Sequence, residues 1–147
     1  MSTSQSRRLR VLSLVAAAGC LVLGALLQLL ERSLVVDVAG SVFYVGFAGM
    51  LLAAVWPALS SMTIAAMAFA FAVAVELLQL TGVPQAVVAV FPAARLVFGS
   101  SFDPIDLVAY AGGAVLLFVA HSRLVRAAAR QATEAPEAVP GPDIASE

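Results

Sequence analysis

The sequence has very little charge. Only 12% of its 147 residues are Asp, Glu, Lys or Arg, against roughly 25% in a soluble domain. Hydrophobic residues make up 62% of the chain, and its mean hydropathy is +1.01. A domain that faces water on all sides cannot be built from this composition, so we expect an integral membrane protein without a soluble nucleic-acid-binding domain.

Three residue types that often carry chemistry are absent or present once. The chain has no lysine, one cysteine (Cys20) and one histidine (His121). A single cysteine excludes an intramolecular disulfide, a CxxC redox pair and a thiolate metal cluster. A single histidine leaves little from which to build a zinc site or a catalytic triad. We therefore expect no metal and no cofactor.

What the sequence does have is four long apolar runs, at about residues 12–30, 38–56, 62–80 and 104–121. Each approaches the ~20 residues that a helix needs to cross the hydrocarbon core. A helix satisfies its own backbone in lipid, whereas an open strand cannot. The sequence predicts an all-α integral membrane protein, with a bundle of four transmembrane helices in a membrane domain at residues 11–123.

The arginines predict the orientation of this bundle. Two of them, Arg32 and Arg95, lie in links between apolar runs. The other six flank the first and last runs: Arg7, Arg8, Arg10, Arg123, Arg126 and Arg130. By the positive-inside rule, the flanking six place both termini on the cytoplasmic side of a multi-pass membrane protein. Residues 1–10 then form a basic cytoplasmic N-terminus. Residues 124–147 form a cytoplasmic tail that should be largely disordered, with its acidic, proline-containing part beginning at Gln131.

The first run is predicted to remain as a permanent span. The SRRLRV segment has Arg10 where a twin-arginine signal needs an apolar residue, and the AAGC segment is followed by further apolar residues rather than by a polar mature chain. Neither segment therefore fits a cleaved signal.

The link from Thr81 to Asp103 is too long to be a simple turn in so small a domain. Within it, the apolar segment PQAVVAVF, which begins at Pro84, predicts a short helix that lies at the outer interface or re-enters the bundle. This helix would cover the extracytoplasmic face of the bundle between the third and fourth spans.

The fourth span opens with FDPIDLVAYAGG. Asp103, Pro104 and Asp106 fit the N-cap, the first and the third helical positions, which makes Asp106 a candidate acid of a capping box. Asp106 and Tyr110 are spaced i,i+4 and share one helix face. Glu76 and Gln79, spaced i,i+3, share a face near the end of the third span.

These residues predict a polar cluster at the extracytoplasmic face. A carboxylate in hydrocarbon costs several kcal/mol unless it is paired or neutralised. Arg95 is the nearest candidate cation for both Glu76 and Asp106, with Gln79 and Tyr110 completing the hydrogen bonds. The cluster is either a structural link between two helices and their loop, or a functional site.

The same residues resemble a known family. The segments Glu76-Leu-Leu-Gln79, Leu96-Val-Phe-Gly99 with Phe102, and Asp106-Leu-Val-Ala-Tyr110 with Gly113 are similar to the bacterial membrane proteins grouped as domain of unknown function 2809. The resemblance covers about residues 40–118. It implies a helical bundle and no particular reaction, with Gly99, Phe102, Asp103 and Gly113 as structural positions.

At one position the sequence departs from that family. Family members tend to carry an acid after the glycine that opens the second span, where this chain has Ser41 after Gly40. Any role of that acid is therefore absent here or is taken over by Asp37. A more distant similarity, to VanZ-like proteins, rests on Glu76, Gln79 and Asp106. It implies a link to the cell envelope and glycopeptide resistance, although VanZ-like proteins usually have an asparagine near the position of Tyr110.

Three functions remain open from the sequence. The first is a small membrane protein whose polar cluster is structural or binds a lipid headgroup or a partner, which could be a second copy or another membrane protein. The second is an enzyme acting on lipid-linked envelope substrates. Against it, the sequence has no nucleophile–base pair, no metal motif and no phosphate-binding loop. The third is a transporter or channel subunit, which would need an oligomer because four helices with one polar patch make a poor pore.

Overall fold

The computed structural model of the chain describes residues 3–98 and 102–133, and within these ranges the ordered secondary structure is entirely helical. Four long helices are α1 (Thr3–Leu27), α2 (Leu34–Val55), α3 (Ser61–Gln79) and α6 (Pro104–Thr133). Between α3 and α6 lie the short helix α4 (Val83–Val90), a 3-10 turn (Pro92–Ala94) and the single-turn helix α5 (Arg95–Phe98).

The long helices are apolar enough to cross a membrane. All four contain an 18-residue window of high mean hydropathy, from 1.6 in α6 to 2.2 in α1, and no more than a third of any such window is buried inside the bundle. Most of their apolar surface therefore faces outward, as expected of helices surrounded by lipid. The predicted fold class, four long apolar helices with a short helix before the last, is confirmed.

Polar caps explain where three of the long helices begin. The Ser33 and Ser60 hydroxyl oxygens accept the backbone N–H groups of Val36 and Thr63, at 3.4 and 3.1 Å. Asp103 precedes α6, and its carboxylate accepts the N–H of Ile105 at 2.9 Å. Each cap satisfies an N–H that has no partner within its own helix. The predicted N-cap at Asp103, with Pro104 as the first helical residue, is thus present.

Helix α6 packs closely against α2, and glycines permit the approach. A Cβ atom on Gly113 would lie 3.2 Å from Val42 Cα, which is backbone and cannot move aside as a side chain can. A Cβ on Gly49 would overlap the Leu117 side chain. Helix α3 packs on α2 and α6, whereas α1 packs on α2 and, less extensively, on α6. The core lies between these helices around Val45, Ile64 and Ala68, which are fully buried.

The first and last of the four long helices, α1 and α6, extend beyond the predicted spans. Helix α1 begins at Thr3, so most of the predicted basic N-terminal segment is helical, and it ends at Leu27, where i to i−3 backbone bonds replace the α-helical pattern. Helix α6 continues through all three of its arginines to Thr133, into the segment predicted to be a cytoplasmic tail. Residues 134–147, the remainder of that tail, lie outside the described residues.

Candidate functional site

The carboxyl group of Glu76 lies near the end of α3 and is buried, with a residue exposure of 1%. Its Oε1 atom accepts the backbone N–H of Asp103 at 2.6 Å, and its Oε2 atom accepts the Tyr110 hydroxyl at 3.0 Å. Both donors belong to the start of α6 or its cap. The side chain of Glu76 therefore joins the end of one long helix to the beginning of the next.

This arrangement corrects one detail of the predicted capping box. In a capping box the acid at the third helical position accepts the N–H of the N-cap residue. Here that N–H, from Asp103, is donated to Glu76 of α3. The Asp106 carboxylate instead accepts the Ser41 hydroxyl of α2 at 2.6 Å. The tertiary partner replaces the local one, so the cap of α6 is completed by another helix.

Ser41 occupies the position at which the resembling family tends to carry an acid. Its hydroxyl donates directly to Asp106, so this position faces the start of α6. Asp37, the suggested substitute, lies one turn earlier and forms an ion pair with Arg32, with 3.7 Å between Nε and Oδ1. The arginine side chain is 71% exposed, so this pair contributes little stability. Ser41 rather than Asp37 makes the contact with Asp106.

Gln79 lies one turn beyond Glu76 and is also buried. Its side-chain amide donates from Nε2 to the backbone carbonyl oxygen of Phe98, the last residue of α5, at 2.5 Å. This bond fixes the amide so that Oε1 points the other way, and that oxygen is buried without a hydrogen-bond partner among the described residues. The site therefore contains an acceptor that a ligand with N–H or O–H groups could satisfy.

Tyr44 of α2 is a member of the site that sequence reasoning missed. Its ring lies 6.2 Å from the ring of Tyr110 and 6.4 Å from that of Phe71, measured between centroids. Its hydroxyl is buried and has no partner among the described residues. The available signal was the i,i+3 spacing of Ser41 and Tyr44, which places both on one face of α2.

The structure describes some of the remaining predicted residues in full and others only in part or not at all. The backbone of Arg95 begins α5, but its side chain lies outside the described part of the structure, so its pairing with Glu76 and Asp106 stays a prediction. Gly99 also lies outside the described residues. Phe102 is half-buried beside the cap of α6, and Gly113 is the close-contact position of α6 on α2.

Charge is segregated along the bundle. The hydrogen bonds of Glu76 and Asp106 bring the start of α2, the end of α3 and the start of α6 to one end, which we name the acidic end. All five carboxylates of the described residues lie there: Glu31, Asp37, Glu76, Asp103 and Asp106. The opposite end, where the Nδ1 atom of His121 lies 2.9 Å from the hydroxyl oxygen of Ser61, carries six arginines. We name it the arginine end.

The acidic end presents hydrogen-bond acceptors that a cation or an N–H group could contact. Among the described residues, no group of three or more His, Cys, Asp or Glu side chains is arranged to hold a metal ion. Asp103 is exposed and Asp106 is half-buried, so both are reachable from outside the bundle. Glu76, with both oxygens engaged and almost no exposure, instead fixes the geometry around them.

Comparison with known proteins identifies a family. Residues 30–114, more than half of the chain, match the family described as "Protein of unknown function (DUF2809)". The matched region contains α2, α3 and the short helices, and it extends into α6 just beyond Gly113. No curated protein and no solved structure matches the chain.

Proposed function

We propose, for a chain that belongs to the family described as "Protein of unknown function (DUF2809)", that the acidic end binds a lipid headgroup bearing an ammonium group. In this proposal the four candidate spans cross a membrane, so that this end lies beside one leaflet. Asp106, Asp103 and the Oε1 atom of Gln79 would receive the N–H groups of the ligand. Glu76 and Tyr110 would position these acceptors without touching the ligand.

The observation that carries the proposal is the excess of acceptors at the acidic end. Two carboxylates that can be reached from outside the bundle, those of Asp103 and Asp106, lie where α3 and α6 join. Beside them, the buried Oε1 atom of Gln79 has no donor among the described residues. Buried acceptors are normally satisfied, and a charged N–H donor forms stronger bonds with carboxylates than a neutral one. An ammonium group supplies both the charge and the donors.

A comparison of two headgroups tests this proposal. Ethanolamine and choline phospholipids carry the same charges, but only the ethanolamine nitrogen has N–H groups. We expect the purified protein, assayed by native mass spectrometry in detergent, to retain the ethanolamine lipid about tenfold more strongly, the difference made by one charge-assisted hydrogen bond. Asp106→Asn should reduce that preference, and the matched variant Leu77→Ala, on the exposed face of α3, should not.

Equal retention of the two lipids by the wild-type protein would remove the proposal. The proposal would also be removed if a folded double variant, Asp106→Asn with Gln79→Leu, kept the preference for the ethanolamine lipid. Measuring thermal unfolding of each variant in the same detergent separates loss of binding from loss of structure.

The envelope-related alternative draws on the similarity of Glu76, Gln79 and Asp106 to VanZ-like proteins, and it places the same residues at the extracytoplasmic face of a bacterial membrane. Its test is the sensitivity of a deletion strain to glycopeptide antibiotics, with complementation by wild-type protein, Glu76→Ala or Asp106→Ala. A deletion phenotype fully rescued by both variants would show that the cluster is not a functional site.

A further inference from the structure

The arginine end of the bundle carries a second feature, a two-helix extension. Ser61, the first residue of α3, lies beside His121 of α6. Residues 122–133 of α6 therefore continue past the start of α3, over about 18 Å at 1.5 Å per residue. The extension includes Arg123, Arg126 and Arg130.

Helix α1 extends past the bundle at the same end. A Cβ atom on Gly46 would lie 3.1 Å from Cys20 Sγ, so these two residues are opposite each other. Nine residues further along α2 is its last residue, Val55, and nine residues back along the antiparallel α1 is Val11. Residues 3–10 of α1 therefore pass beyond the end of α2 and carry Arg7, Arg8 and Arg10.

The two extensions are packed rather than separate. Leu9 of α1 is 1% exposed and Ala128 of α6 is 2% exposed, although both lie past the ends of α2 and α3. Helices α1 and α6 also contact each other directly. This burial indicates that the two extensions are packed, and we name them together the arginine arm, which consists of residues 3–10 and 122–133.

All six arginines of the arginine arm are exposed. Arg123, Arg126 and Arg130 are spaced i, i+3 and i+7, and Arg7 and Arg10 are spaced i,i+3, so each set lies on one helix face. The described chain has no Asp or Glu before Glu31, between Asp37 and Glu76, or from Leu107 to Thr133. No carboxylate of the described residues is therefore available at this end to neutralise them.

Apolar residues follow the arginines immediately. Val11, Leu14 and Val15 of α1 are exposed by 51 to 65%, directly beyond Arg10. A helix that changes from exposed arginines to exposed aliphatic side chains within one turn matches the boundary between phosphate groups and acyl chains. The arginines next to this boundary then lie at the depth of the phosphate groups of the adjoining leaflet.

We infer that the arginine arm is a binding site for anionic phospholipid. The guanidinium groups of both helices would bind phosphate oxygens, bidentately where geometry allows, and the aliphatic residues next to them would contact the acyl chains. This site is at the opposite end of the bundle from the proposed ammonium site, and it does not depend on that site.

The experiment measures retention of phosphatidylglycerol and phosphatidylcholine by the full-length protein, purified in detergent, in native mass spectrometry. Two triple variants remove one half of the site each: Arg7→Gln, Arg8→Gln and Arg10→Gln, or Arg123→Gln, Arg126→Gln and Arg130→Gln. Arg32→Gln, at the acidic end, is the matched control. We expect wild-type protein to prefer phosphatidylglycerol and each triple variant to lose at least about tenfold of that preference, since a basic residue near an anionic membrane is worth about 1 kcal/mol. The Arg32→Gln control should keep the preference for phosphatidylglycerol.

Other variants keep the result interpretable. Replacing the same arginines by lysine retains the charge, so these proteins should keep most of the preference even if the glutamine variants fail to fold. Equal retention of both lipids by wild-type protein, or an equal loss in Arg32→Gln, would overturn the inference. A preference that appears only after truncation following Thr133 would also overturn it, because the acidic residues 134–147 would then be the occupant of the arginine arm.

Discussion

The Oε1 atom of Glu76 accepts the backbone N–H of Asp103 at 2.6 Å. A side chain of α3 thereby completes the N-terminal cap of α6, a helix that begins 28 residues later in the chain at Pro104. Because the donor is a backbone group, no substitution at position 103 other than proline removes it. The contact depends on the carboxylate of α3 alone, which makes Glu76 the informative residue to change.

Two substitutions of Glu76 should lower the free energy of unfolding to different extents, because they remove different numbers of hydrogen bonds. Glu76→Ala leaves the Asp103 N–H and the Tyr110 hydroxyl without their acceptor, and each buried unsatisfied group costs about 1–3 kcal/mol. Glu76→Gln retains one acceptor oxygen, so its free energy of unfolding should fall by less. Chemical denaturation in detergent micelles gives both values, and Leu77→Ala on the exposed side of α3 is the control. An equal loss of unfolding free energy in the alanine and glutamine variants would contradict the assignment of the two hydrogen bonds.

Tyr110 and Glu76 should be energetically coupled. Tyr110→Phe removes the hydroxyl that donates to Oε2 and should cost about 1 kcal/mol. A double-mutant cycle with Glu76→Gln should give an interaction energy above about 0.5 kcal/mol, as expected for residues in direct contact. Tyr44→Phe, which removes a hydroxyl without a described partner, is the comparison. Strict additivity of Tyr110→Phe and Glu76→Gln would show that the bond contributes nothing.

The predicted role of Arg95 is tested in the same way. If its guanidinium neutralises Glu76 and Asp106, Arg95→Ala leaves buried carboxylates uncompensated and should destabilise the protein by about 3–5 kcal/mol. Arg95→Gln combined with Glu76→Gln should then cost less than the two single variants summed. A cost below about 0.5 kcal/mol for Arg95→Ala, the range of ordinary surface substitutions, would place this arginine outside the cluster.

Two adjacent glycines offer a matched pair in α6. Gly113→Ala places a methyl group 3.2 Å from Val42 Cα, whereas a Cβ atom on Gly112 meets nothing within 4 Å. Overpacking against backbone costs about 1–3 kcal/mol, so Gly113→Ala should lower the unfolding temperature. Gly112→Ala should leave it unchanged or raise it, because alanine is the better helix former. Equal effects of the two substitutions would contradict the close approach of α6 to α2.

Membrane orientation is tested with reporter enzymes fused after Arg130 and after Ser101. The distribution of arginines predicts a cytoplasmic signal from the first fusion and an extracytoplasmic signal from the second. The reverse pattern would place the acidic end in the cytoplasm and the arginine arm outside.

The sequence predicts those parts of the fold that depend on one segment at a time. Run length and apolar content predict the four long helices, and Asp103 with Pro104 marks the start of α6 because a cap is a local interaction. The antiparallel connection of α3 to α6 was also sufficient to bring Glu76 to the level of Tyr110. These features need no knowledge of how the helices are rotated against one another.

The parts that could not be predicted depend on that rotation. Ser41 meets Asp106, and Tyr44 meets Tyr110, because α2 presents one particular face to α6, which is set by close packing at Gly113 and Gly49. A nearly uniform apolar helix carries no periodic signal for this choice. For the same reason the competition for the Asp103 N–H, between Asp106 in its own helix and Glu76 in another, was decided by tertiary structure.

Among the described residues, carboxylates and arginines are separated along the long axis of the bundle. In an energised membrane, each elementary charge moved through the full potential changes in energy by about 2.3 kcal/mol per 100 mV. If the arginine end faces the cytoplasm, as the positive-inside rule predicts, inversion of the protein would require its six arginines to cross against a potential that is negative on that side. In that predicted orientation, the same field that drives ion transport across the membrane would oppose inversion of the inserted chain.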